Sequence, residues 1–76
     1  MALWWLVSKI KGKRAVYIQE AGSLIHARLV ALMTGFEGEF VEGHQLDAKS
    51  AKKVPKGSVG RPLSLKEAGE LLKKLG

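Results

Sequence analysis

The chain has 76 residues, 46% of them apolar and 26% charged, with no cysteine; this describes one small domain over 1–76 and excludes disulfides and thiolate metal sites. A chain of this length buries only about 60% of its unfolded surface, so its core is thin and needs close packing, a partner chain or a ligand to supplement it. Its net charge of +6 comes in blocks: +4 over 1–36, −4 over 37–47 (Glu37, Glu39, Glu42, Asp47), +5 over 48–63 and +1 thereafter. No segment approaches the roughly 20 apolar residues of a membrane span, so no integral membrane role is expected. The apolar run Ala2 to Val7 is too short for a signal sequence and has no charge before it, which makes the cytoplasm the expected compartment.

In chain order, Leu3 to Lys11 and Ala15 to Gln19 read as two strands of a hairpin, rich in aromatic and β-branched residues. A three-residue loop at Gly12-Lys13-Arg14 pairs Ile10 with Val16 and Ser8 with Ile18. That register puts Trp4, Leu6, Ile10, Val16 and Ile18 on one face and Trp5, Val7, Lys9, Lys11, Tyr17 and Gln19 on the other. It is preferred over a two-residue loop that opposes Lys11 to Arg14, because like charges directly across a strand pair repel.

Ser23 is placed to cap a helix from Leu24 to about Thr34, with Gly35 ending it in the left-handed conformation and Phe36 folding back. Its main apolar stripe is Ile25, Leu29, Leu32 and Met33, yet Leu24, Ala27, Val30 and Ala31 fill most of the remaining arc. Such a helix needs cover on two sides: the sheet on one, and the C-terminal helix or a second copy of the chain on the other.

Glu39 to Leu46 reads as a third strand, with Gly43 marking a bulge or bend. Asp47 caps a short basic helix, Ala48 to Lys53, which Pro55 ends. Two prolines and two glycines make 54–63 an irregular basic loop. Ser64-Leu65-Lys66-Glu67 is a capping box with a Leu63–Ala68 staple, opening a helix whose Leu65, Ala68, Leu71, Leu72 and Leu75 share one arc. The fold expected is therefore α+β, in the order β-β-α-β-(short α)-α, with an antiparallel sheet covered on one face by helices.

Catalysis finds little support. His26 and His44 stand in unrelated contexts without metal-ligand spacing, and no serine lies in a nucleophile elbow. His44 with Glu39, Glu42 and Asp47 offers at most a weak divalent site, and carboxylates on a strand are usually a solvated face. Gly57 and Gly60 give a Gly-x-x-Gly spacing flanked by bases, similar to the loop of KH domains. A KH loop joins two helices directly, however, whereas Pro62 and Leu63 separate this one from its helix and Pro55 blocks the one before, so it reads as an ordinary loop. No enzyme activity, cofactor or metal is expected.

Two binding readings follow. In the first, nucleic acid stacks on Trp5 and Tyr17 while Lys9, Lys11, Lys13, Arg14 and the segment bearing Lys49, Lys52, Lys53, Lys56 and Arg61 hold its phosphates. In the second, Trp5 and the surplus apolar face of the first helix serve a protein partner or a homodimer.

Overall fold

A computed structural model of the chain describes residues 2–36 and 38–75; Glu37 of the acidic block lies outside them. Strands β1 (Ala2–Ile10) and β2 (Lys13–Ala21) form the hairpin, followed by α1 (Leu24–Met33), β3 (Glu39–Gln45), α2 (Ala48–Lys53), β4 (Pro62–Leu63) and α3 (Leu65–Leu75). The four strands form one antiparallel sheet in the order β3-β1-β2-β4. The α+β class and the order of helices and strands are as expected.

The hairpin turn differs. Lys11 and Gly12 both take positive φ, 53° and 80°, the pattern of a two-residue type I′ turn whose twist matches the flanking strands. The register is accordingly Ile10 opposite Lys13, Lys9 opposite Arg14 and Val7 opposite Val16. Because side chains alternate with period two, this change carries β2 to the other face. Val16 and Ile18 join Trp5 and Val7, while Tyr17 and Ala21 join Leu6.

Both faces of the sheet are covered, not one. On one side Trp5, Val7, Val16 and Ile18 pack with Leu46, Val54, Leu63, Ala68 and Leu71, so α2 and α3 lie there. On the other, Leu6, Tyr17 and Ala21 pack with Ala27, Ala31 and Phe36, which places α1 there. The segment 54–63 is built into the fold rather than irregular throughout. Lys56–Ser58 form a 3-10 turn, Gly60 N–H donates to the Ile18 carbonyl at 2.8 Å, and Pro62–Leu63 add the edge strand beside Tyr17 and Val16.

The caps follow the local sequence. Ser23 accepts from the His26 N–H at 3.2 Å and Asp47 from Ser50 at 2.7 Å. Gly35 at φ 93° closes α1 with Phe36 N–H on the Ala31 carbonyl and Gly35 N–H on that of Leu32, the paired bonds of a Schellman ending. Ser64 accepts from the Glu67 N–H at 3.2 Å, so Ser64→Ala is expected to lower the unfolding free energy by about 1 kcal/mol in urea titration; an unchanged midpoint would remove the cap from the account.

The bulge lies between Val7 and Ser8 of β1 and their partners Glu42 and Phe40, leaving Val41 as the extra residue. Gly43 is not the bulge. A Cβ there would stand 2.8 Å from Leu24 Cδ1 and 3.0 Å from Leu6 Cδ2, so this glycine lets α1 approach the sheet.

Candidate functional site

Trp5 and Tyr17 do not form a platform. Trp5 is 4% exposed and Tyr17 fully buried, and the register places them on opposite faces of the sheet, each inside a core. The Tyr17 ring lies 4.8 Å from that of Phe36. Its hydroxyl sits 2.6 Å from Thr34 Oγ1, which itself donates to the Ala31 carbonyl, so the tyrosine is the donor. Trp4 is half-buried, with its indole N–H donating to the Ala21 carbonyl at 2.9 Å. Both indoles serve the fold, which removes base stacking from the first reading and leaves its cations.

Those cations fall into separate groups. Lys9 and Arg14 are directly opposed across the hairpin, both exposed and, by strand alternation, both on the α3 side. With Lys13 and Gly12 they border a shallow groove whose other wall is Ser64 and Leu65 at the start of α3. Lys11 occupies the turn itself. Like charges directly across a strand pair are unfavourable by a few tenths to about 1 kcal/mol. Glu39 neighbours Lys9 on β3, yet the ion pair found among the described residues is Arg61–Glu67.

Lys49, Lys52, Lys53 and Lys56 lie elsewhere. Ala51 of α2 packs beside Leu3, six residues along β1 from Lys9 and so about 20 Å away at strand spacing. Arg61 is committed to the loop: Nε donates to the Gly57 carbonyl at 2.7 Å and an Nη to Glu67 at 2.9 Å. The Arg61 guanidinium holds the Glu67 carboxyl below its usual value, and the Ser50 amide does the same for Asp47. Lowered carboxylate values mean stability that is present at neutral pH and lost as acid protonates these groups below about pH 4.

The other open surface is on α1, and the large residues face the wrong way for a core. The helix turns Ala27 and Ala31 onto the sheet, while Ile25 and Met33 are each 79% exposed and Leu29 and Leu32 just over half. The expected main stripe is thus the uncovered one, and α3, on the far side of the sheet, cannot reach it. The cause is the close approach of helix to sheet over Tyr17 and Gly43, which only small side chains permit. Arg28 flanks the stripe with its guanidinium 4.0 Å above the Phe40 ring, turned toward β3.

His26 and His44 are both exposed, on α1 and β3, and the described residues hold no group of three His, Asp or Glu side chains placed for a metal ion. None of the described helices is long and apolar enough to cross a membrane. Comparison with known families, curated proteins and solved structures finds no match for this chain.

Proposed function

We propose that this chain is a noncatalytic binding domain that acts as a homodimer joined through α1. The observation that supports it most is the exposure of Ile25, Leu29, Leu32 and Met33 on one helix face, since contiguous apolar surface on a small domain marks an interaction site. A second copy is the occupant the pattern favours. Ile25, Leu29 and Met33 are spaced four apart, a single i±4 ridge of the kind that interdigitates in the commonest helix-packing class. That ridge is symmetric about Leu29, so a two-fold axis there sets each ridge against its own copy, as an isologous interface requires. Arg28 is drawn off toward Phe40, which keeps its charge out of the contact.

A standard interface removes about 800 Å² per partner, more than four side chains supply, so the association is of the weak, concentration-dependent class. Light scattering from 5 to 500 μM is expected to show the mass rising from 8.3 kDa toward twice that. Leu29→Glu is expected to hold it at the monomer value with an unchanged circular dichroism spectrum, because this side chain is exposed in the monomer. A wild-type mass of 8.3 kDa at every concentration overturns self-association.

A further inference from the structure

We infer, independently of association through α1, that the hairpin tip is a docking site for the phosphate backbone of nucleic acid, with Lys9, Lys13 and Arg14 as its contacts. Lys9 and Arg14 stand directly opposite one another, an arrangement that opposes folding and that a purely structural surface has no reason to keep. Glu39 is the acidic neighbour on the adjoining strand, while the ion pair found among the described residues lies at Arg61 and Glu67. With Glu39 the one acidic partner in register among the described residues, Lys9, Lys11, Lys13 and Arg14 leave the tip with a net positive charge.

The tip is accessible as well as charged. β4 pairs only with Val16 and Tyr17, so the outer edge of β2 from Lys13 to Ala15 is uncovered, and the groove beside Ser64 and Leu65 is open. The cations ring the tip, Lys9 and Arg14 on the α3 side and Lys13 by alternation on the other, which fits an extended polyanion that meets both faces of the ribbon; a single small anion needs an enclosing socket. A two-stranded ribbon is also a shape that enters a nucleic-acid groove. A membrane surface fits less well, because the apolar stripe of α1 and the opposed Lys9–Arg14 pair lie on opposite faces of the sheet, where one bilayer cannot meet both.

The test is fluorescence anisotropy of a fluorescein-labelled 20-nucleotide DNA, single-stranded and duplex, at 50 and 200 mM salt. Three phosphate contacts on duplex predict a loss of affinity of about forty-fold between the two salts. The triple variant Lys9→Gln, Lys13→Gln, Arg14→Gln is expected to bind at least about tenfold more weakly at 50 mM, while Lys49→Gln, Lys52→Gln, Lys53→Gln, which removes the same charge, loses less than about threefold. All six side chains are exposed, so both variants stay folded, the tip triple melting no lower than the wild type because it relieves the opposed pair; the single variant Arg14→Gln, expected to weaken binding severalfold, serves if the tip triple does not fold. No wild-type binding at 50 mM overturns the inference, as do equal losses in the two triples, which would reduce it to net charge. Displacement of the DNA by 10 mM inorganic phosphate at constant ionic strength overturns it in favour of a small anion, and binding only to vesicles containing anionic lipid does so in favour of a membrane.

Discussion

Trp5→Ala is expected to leave the chain largely unfolded at 37 °C. The ring is 4% exposed and packs with Val7, Val16, Ile18, Leu63 and Leu71, between the sheet and α3. Truncating a buried tryptophan costs about 3–5 kcal/mol in transfer and cavity terms. A domain of this length has about 4–11 kcal/mol in all, by the usual per-residue range, and small domains sit toward the lower end. At about 4–8 °C per kcal/mol, the melting temperature falls by about 12 °C or more. Thermal melts followed by circular dichroism check this, with Trp5→Phe as the milder companion. A wild-type melting temperature in Trp5→Ala would mean that the ring lies outside the core, and would return it to the list of binding residues.

Gly38→Ala is the second large effect. Gly38 takes φ 137°, a region closed to residues with a Cβ, just before β3. The added methyl would clash with the Lys9 carbonyl oxygen and come within 2.8 Å of Ile10 Cγ1. The first of these is backbone held in the β1 ladder, which cannot step aside. Strain and overpacking together place the loss at about 3 kcal/mol. Gly57, with no atom within 4 Å of an added Cβ and no positive φ, supplies the control: Gly57→Ala is expected to change stability by less than about 0.5 kcal/mol. Equal urea midpoints for the two variants would show that the backbone at 38 relaxes freely.

What could be read from the residues was what neighbours in sequence decide. Ser23, Asp47 and Ser64 cap helices through atoms three positions away, and Gly35-Phe36 ends α1 within its own last turn. The hairpin register was harder, because it rests on a lysine at positive φ, a conformation that lysine adopts only when the turn and its strands over-determine it. That single step moved Tyr17 and Val16 to the opposite faces and parted the two members of the supposed stacking platform, which helices on both faces of the sheet bury. β4 has two residues, one of them proline, and carries no periodicity to detect; its place comes from Leu63 entering the core and Arg61 clasping the loop. On α1 the pattern of large apolar residues pointed to the core, whereas the sheet selected the alanines because helix and strands meet so closely at Gly43. The basic residues of the tip were legible as charges, but which of them stand together depended on that same register.

The two ends of the sheet bear on how far any assembly can grow. β3 carries Glu39, Glu42 and the bulged Val41 along its outer side, and β4 offers two residues, of which Pro62 has no N–H to donate. Both edges are therefore poor templates for a further strand. Strand addition is thereby discouraged at both margins, which guards the sheet of a protein that leaves Ile25, Leu29, Leu32 and Met33 uncovered.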